Sequence, residues 1–251
     1  MRFKDKRVLV TGGARGIGAG IAKAFADEGA TVAINARSEA TMAERCEKDA
    51  VSYLCVAGKI GPRDACFDMV NRAVEGLGGL DVLVANAGIF NEVPFEDVTQ
   101  EEFDDNISVN LGGVFFCAQA AMPALKQSKG NIVAIASDAA IISYSASPAY
   151  CAAKGGVTSL VRALAVGYAA HPVRVNSVCP GNVETDMMRQ TAAESGDAEA
   201  YLQQARGRAP ARRMGTPAEI AAAVLYLASG DAGYTTGVSL PVDGGGIAGF
   251  D

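Results

Sequence analysis

Seven short runs of consecutive apolar residues punctuate this chain, at 7–10, 31–34, 51–56, 80–85, 131–136, 173–178 and 238–242, and the segments between them are long enough for a helix. A strand with one wet face alternates polar and apolar side chains. Runs that are apolar at every position belong to strands covered on both faces, the hallmark of a parallel sheet whose crossover helices pack above and below it. The chain therefore predicts an α/β fold: a single doubly wound Rossmann-type domain over residues 1–251, with a seven-stranded parallel sheet flanked by helices. A hydrophobic content of 49% in 251 residues supplies a continuous core for it. No internal repeat or Pro/Ser-rich linker divides the sequence. Two helix starts are written in side-chain chemistry: Thr99 with Glu102 and Thr216 with Glu219 offer a capping hydroxyl and a Glu three residues on, the second with Pro217 at the first helical position.

Charge and composition exclude several functions. The net charge of −6 gives no attraction to nucleic acid or to an anionic membrane, and no long basic cluster compensates locally. The uncharged stretch 106–125 has the length of a membrane span, but Asn106, Asn110, Gly112, Gly113, Gln119 and Pro123 interrupt it, so a buried helix is expected. The apolar run after the charged first six residues is too short for a signal-peptide core, and a cytoplasmic location is expected. Six scattered cysteines without a C-x-x-C pair read as reduced thiols. One histidine, His171, lies before Pro172 at a helix end; it excludes an H-E-x-x-H zinc site, and no metal is expected.

The first strand leads directly into Gly12-Gly13-Ala14-Arg15-Gly16-Ile17-Gly18 and then an amphipathic helix. Glycines let a backbone turn tightly and approach a pyrophosphate, whose charge the free N–H groups of a helix N-terminus attract. The spacing is not the strict G-x-G-x-x-G, and no Gly-Lys-Ser/Thr marks a P-loop. Methyltransferases also carry glycines after a first strand, so the loop alone leaves that class open. At the end of the second run, Ala36 and Arg37 offer no carboxylate for a ribose diol but one guanidinium, with Arg15 as a second; NADP(H) is favoured over NAD(H) as the cofactor.

Tyr150 and Lys154 stand four apart in a helix-compatible segment and share one face. A phenol with an ordinary pKa of about 10 carries protons poorly at neutral pH, and a neighbouring ammonium would lower it. Tyr150 would then donate to a carbonyl oxygen or accept from an alcohol. Ser137, at the C-terminal end of the fifth run, is placed where active sites of open parallel sheets lie and would hydrogen-bond the developing oxyanion.

Thr11-Gly12-x-x-x-Gly16-x-Gly18, Asn86-Ala87-Gly88, Asn110, Ser137, Tyr150-x-x-x-Lys154 and Pro180-Gly181, in this order, resemble the short-chain dehydrogenase/reductase family across essentially the whole chain. The resemblance implies Tyr150 as general acid/base and Lys154 as the residue that lowers its pKa and holds the nicotinamide ribose. Ser137 would orient the carbonyl, and Asn110 would support a water linked to Lys154. Asn86, Ala87 and Gly88 would line the adenosine side, while Pro180, Gly181, Val183 and Thr185 would hold the nicotinamide amide. It also implies a homotetramer built on the helices at 103–125 and 150–170. Two departures stand out: Gly58 occupies a position where many members carry an acid, and Ala85 precedes Asn86 where a second Asn is usual.

The segment 179–187 resembles the 3-oxoacyl-carrier-protein reductase branch, implying a β-ketoacyl thioester. Ser128 and His171 stand where basic docking residues for a carrier protein are expected, however, and an acidic protein gains no attraction to an acidic carrier. Asn91, Glu92, Asp138, Ser143, Asn182 and Glu184 suit a sugar or polyol instead, since buried hydroxyls need partners. The polar segment 182–213, loosest at 193–197, is expected to be a lid over the small-molecule substrate. An NADPH-binding sensor without chemistry is the non-enzymatic alternative, which intact Ser137, Tyr150 and Lys154 argue against.

Overall fold

In the computed structural model, which describes residues 1–249, the seven strands are β1 Arg7–Val10, β2 Thr31–Ala36, β3 Leu54–Ala57, β4 Val82–Ala85, β5 Asn131–Ile135, β6 Arg174–Pro180 and β7 Ser239–Val242. They form one sheet in the order β3-β2-β1-β4-β5-β6-β7, and every neighbouring pair is parallel. The order reverses between β1 and β4, so two adjacent strands send their crossovers to opposite sides. A crevice opens at their C-terminal ends, where open α/β sheets bind ligands.

Nine helices cover the described sheet: α1 Gly16–Asp27, α2 Glu39–Asp49, α3 Arg63–Leu77, α4 Gln100–Asn106, α5 Gly113–Ser128, α6 Pro148–Gly167, α7 Asp186–Glu194, α8 Ala198–Gly207 and α9 Pro217–Ala228. One core layer packs Ile21 and Phe25 of α1, Met42 of α2 and Ile220 and Val224 of α9 against one face. The other packs Met69 and Val70 of α3, Cys117 and Leu125 of α5 and Val157 and Val161 of α6 against the opposite face. The uninterrupted apolar runs are explained by these two layers. Both expected capping boxes are formed, at Thr99 with Glu102 and at Thr216 with Glu219.

Several elements differ from the sequence expectation, among them β3, which starts at Leu54 and not at 51, and β6, which runs on to Pro180. β2 runs on through Asn35 to Ala36, because the Asn35 amide is fully used inside the sheet: it donates to the carbonyls of Val56 and Gly58 at 3.0 and 3.1 Å. The expected helix at 106–125 starts earlier and changes pitch, passing from α4 through a π-helical turn at Ile107–Gly112 into α5. Such wide turns favour functional sites, and this one carries Asn110. The connection expected around 193–197 is present as a short non-helical link at 195–197 between α7 and α8, while the rest of the polar segment is more helical than expected, with the two helices capped by the side chains of Thr185 and Asp197. Its α8 reaches back across the sheet end, where the Tyr201 hydroxyl donates to Glu92 Oε1 at 3.1 Å.

Candidate active site

The glycine loop lies at the strand-order reversal, and its geometry is set by contacts that only glycine permits. Gly12 and Gly16 have φ of +63° and +55°, a region that residues with a Cβ seldom enter. A Cβ on Gly18 would collide with the Gly12 carbonyl and with the Asn86 side chain. Asn86 locks the loop to the end of β4, its Nδ2 donating to the Thr11 carbonyl at 2.8 Å and the Gly12 carbonyl at 3.2 Å. Thr11 completes the joint by accepting the backbone N–H groups of Asn86 and Ala87 at 2.9 and 3.0 Å. From the far side, Asn35 Oδ1 accepts the Gly12 N–H at 3.4 Å. Thr185, capping α7 through its hydroxyl, brings its methyl group beside Gly16. Val183 is buried and bridges to Gly215, while the Gly181 N–H is tied to the Val242 carbonyl at 3.2 Å.

This cradle fits a dinucleotide. No side chain caps the start of α1, so its first N–H groups, including those of Ile17 and Gly18, face the crevice with the helix dipole behind them. Arg15 and Arg37 are exposed and make no side-chain hydrogen bond or ion pair among the described residues. Asp186, near Arg15, is held below the usual carboxylate range by Arg189 first and by Lys48 and Arg15 in addition. At the departure noted above, Gly58 has no room to spare: a Cβ there would stand 3.1 Å from Met69.

At the other end of the crevice the structure brings Ser137, Tyr150, Lys154, Asn110 and Gly88 together. Lys154 is 3% exposed, and its Nζ donates to the Ile135 carbonyl at 2.8 Å. Burial pushes its ammonium down to about 8. The Lys154 Nζ lies 5.7 Å from the Tyr150 ring centre, and Phe90 packs edge-on against that ring at 5.0 Å. The Tyr150 phenol is pushed above its ordinary value by burial; an interaction with Ser137 opposes the rise, and the charges of Asp138, Cys151 and Cys179 add to it. In the protein alone the Lys154 ammonium is turned to the Ile135 carbonyl, and burial sets the direction of the phenol's shift.

Asn110 is fully buried, and both amide hydrogens are taken, by the Ile89 carbonyl at 3.1 Å and by Asn106 Oδ1 at 3.2 Å, while its Oδ1 accepts the Ile89 N–H at 3.0 Å. The side chain thus fixes the loop after β4. A Cβ on Gly88 would stand 2.8 Å from Asn110 Oδ1 and 3.7 Å from Lys154 Nζ, so glycine here keeps these groups within one small volume.

Two small pockets open near the strand ends. One is lined by Tyr150 with Asn91, Glu102, Asn106 and Ser147. The other is lined by Asp138, Gly181, Asn182, Arg208, Arg213 and Asp243. Of the expected substrate residues, Asp138 and Asn182 face the second and Asn91 the first, whereas Glu92 is engaged by Tyr201. Ser143 and Glu184 are exposed and line neither cavity, a correction to the sequence expectation: the backbone at Glu184 is pinned to Gly215, and Ser143 lies on an outer loop. Tyr144 and Arg208 were not anticipated. Tyr144 donates to Asp138 Oδ2 at 2.6 Å, and the Arg208 guanidinium lies over its ring at 5.2 Å. Neither sits in a periodic pattern that would betray it. Among the described residues, no group of three or more His, Cys, Asp or Glu is arranged to hold a metal ion.

Residues 12–246 match the protein family described as enoyl-(acyl carrier protein) reductase. The chain is 36% identical over 250 residues to L-fucose dehydrogenase of Mus musculus, covering 99% of this chain and 91% of that protein. It is 35% identical over 253 residues to a 3-oxoacyl-(acyl-carrier-protein) reductase of Thermotoga maritima, covering 98% and 99% respectively. Among solved structures, aldohexose dehydrogenase of Thermoplasma acidophilum in ligand-free form is similar with a TM-score of 0.88 and 32% identity, covering 98% of this chain and 94% of that one.

Proposed function

The chain belongs to the short-chain dehydrogenase/reductase family, and from that premise we propose that it interconverts a secondary alcohol and a carbonyl on a hydroxyl-rich substrate, a sugar or polyol, using NADP(H) in preference to NAD(H). A dinucleotide held by the loop of Gly12, Gly16 and Gly18 would supply the hydride acceptor or donor. Tyr150 moves the accompanying proton at its phenol oxygen, Ser137 holds the reacting oxygen, and Lys154 is the buried cation of the site. The single observation that supports this most is the convergence of Ser137, Tyr150 and Lys154 at the mouth of the glycine-lined crevice.

The hydroxyl-rich substrate is supported by the polar cavity of Asp138, Asn182 and Arg208 beside Ser137 and by the sugar dehydrogenases among the relatives. Buried donors and acceptors reject a substrate that leaves them unpaired. A 3-oxoacyl thioester is the second reading, favoured by the Thermotoga maritima relative; the net charge of −6 and the absence of basic residues at 128 and 171 weigh against it. NADP(H) is supported by Arg15 and Arg37, two exposed guanidinium groups that make no side-chain hydrogen bond or ion pair among the described residues, since a 2′-phosphate needs a cation.

The test is a panel of sugars, polyols, simple ketones and ketoacyl thioesters with both nicotinamides, followed at the absorbance of the reduced cofactor. Sugars or polyols should turn over, with KM for NADPH about tenfold below that for NADH, the effect of a favourable charge contact of roughly 1.4 kcal/mol. A clear NADH preference removes the cofactor assignment, turnover confined to thioesters transfers the protein to the other branch, and NADPH binding with no turnover at all favours a sensor.

Residues 182–213 act as the substrate lid, and the protein works in the cytoplasm as a homotetramer. Phe103 and Phe115 on the α4–α5 arm and Val166 on α6 are exposed at 43%, 44% and 80%, apolar area on the two helices expected to meet in the tetramer. Light scattering should return four times the chain mass. A monomer at micromolar concentration would refute the assembly.

A further inference from the structure

Ser137 has one hydroxyl proton and more than one neighbour that can take it. Its Oγ lies 2.9 Å from Asp138 Oδ1 and accepts the Ala139 N–H at 3.2 Å. The same Oδ1 accepts the Ala139 N–H at 2.8 Å, and Oδ2 accepts the Tyr144 hydroxyl at 2.6 Å. Ser137 and Asp138 are 7% and 6% exposed, so water does not screen them. Two buried oxygens this close repel unless a proton lies between them. The Tyr144 proton is directed to Oδ2, which leaves the Ser137 proton as the one that joins Oγ to Oδ1 while the carboxyl is ionised.

We propose that Asp138 is a positioning residue: it takes the Ser137 proton, withholds it from Tyr150, and so presents Ser137 to the reacting centre as a hydrogen-bond acceptor, matched to the hydroxyl of an alcohol. The proposal rests on Tyr150 being the acid/base of an oxidoreductase and adds a residue outside the Ser/Tyr/Lys set. Tyr144 is part of the device, because its short bond fixes the carboxylate plane. Among the described residues, the charged and titratable groups around Asp138 are Tyr144 on the same loop, Asp243 after β7, Cys179 in β6, Tyr150 and Cys151 in α6, Arg208 at the end of α8 and Arg213 before α9. Burial raises the Asp138 carboxyl, opposed by Tyr144, Ser137 and the Ala139 N–H. On protonation the carboxyl no longer draws the Ser137 proton, and Ser137 is free to donate to a carbonyl oxygen.

The direct test is the titration of Asp138 in the full-length protein by carbon NMR with labelled aspartate, its signal assigned by its loss in Asp138→Asn. Removing the donor in Ser137→Ala should raise the Asp138 pKa by about one unit, since hydrogen bonds to the charged form favour it; Ser137→Thr should restore the wild-type value. An Asp138 that titrates identically in Ser137→Ala overturns the proposal. Thermal melting of each variant confirms the fold, and Ser137→Thr serves if Ser137→Ala does not fold: a value displaced from wild type with an intact fold counts against the proposal. The second measurement is kcat for alcohol oxidation against pH. In the wild type it should fall through two ionisations as pH drops, those of Tyr150 and Asp138. Asp138→Asn keeps an amide oxygen that accepts the Ser137 proton at every pH, so in whatever turnover the variant retains the lower ionisation should be missing from the pH profile; its survival in the variant overturns the proposal. The NMR titration needs no substrate, so a failure there is separate from a failure of the oxidoreductase assignment, which the substrate panel decides.

Discussion

Tyr150→Phe lowers turnover by roughly 10²- to 10⁴-fold, the contribution of a positioned general acid/base, and leaves nicotinamide affinity within about twofold, a change of roughly 0.4 kcal/mol. One oxygen is removed. The ring that packs edge-on against Phe90 remains, and Lys154 keeps its bond to the Ile135 carbonyl, so neither the core nor the buried ammonium is disturbed. What disappears is the phenol hydroxyl, the group proposed to move the proton of the reacting oxygen. Fluorescence titration with NADPH and steady-state turnover separate the two effects. Retention of more than a tenth of the wild-type kcat would reassign the proton to another group.

Gly18→Ala removes cofactor binding and weakens the fold together. The added Cβ would stand 2.5 Å from Asn86 Nδ2 and 2.9 Å from the Gly12 carbonyl carbon. Neither neighbour can yield: Asn86 is tied to Thr11 and Gly12, and Gly12 to Asn35. Forcing an extra carbon into a packed place costs about 1–3 kcal/mol, which for a chain of this size lowers Tm by about 2–12 °C. Because relief of the clash means opening the Thr11–Asn86 joint, the Kd for NADPH rises by about 100-fold, or roughly 2.7 kcal/mol. Gly207→Ala is the control: nothing lies within 4 Å of a Cβ there, so affinity and Tm should stay near wild type. Equal behaviour of the two variants in calorimetry and binding would show that the loop is softer than its hydrogen bonds imply.

The fold was legible because each strand must satisfy two layers, and a run such as 80–85 or 131–136 has no other use for consecutive apolar residues. The ends of elements were less legible. Asn35 reads as a break in an apolar run, yet it continues β2, since its amide finds carbonyls only after β3 has folded beside it. The π-helical turn at Ile107–Gly112 has no local sequence signal; it fits the buried bonding of Asn110 to Ile89, a contact across 21 residues. At the site, Gly12, Gly16, Gly18, Ser137, Tyr150 and Lys154 were readable from spacing and strand position. The partner of Lys154 was not readable: the Ile135 carbonyl, invisible to a helical pattern, accepts from its ammonium. Tyr144 and Arg208 lie on a loop and at a helix end, and only the folded chain brings them to Asp138.

The bond between Tyr201 and Glu92 joins residues 109 positions apart across the sheet end. A hydrogen bond to a carboxylate is worth about 1.5–3 kcal/mol, so parting it leaves the unlatched form at roughly a tenth to under a hundredth of the population by that bond alone. On the proposal that 182–213 form a lid, a substrate beneath α8 would depart only during brief openings, and its dwell time would grow in proportion to their rarity. Weakening the latch would hasten departure and loosen retention at once, coupling how fast the cycle runs to how tightly it grips.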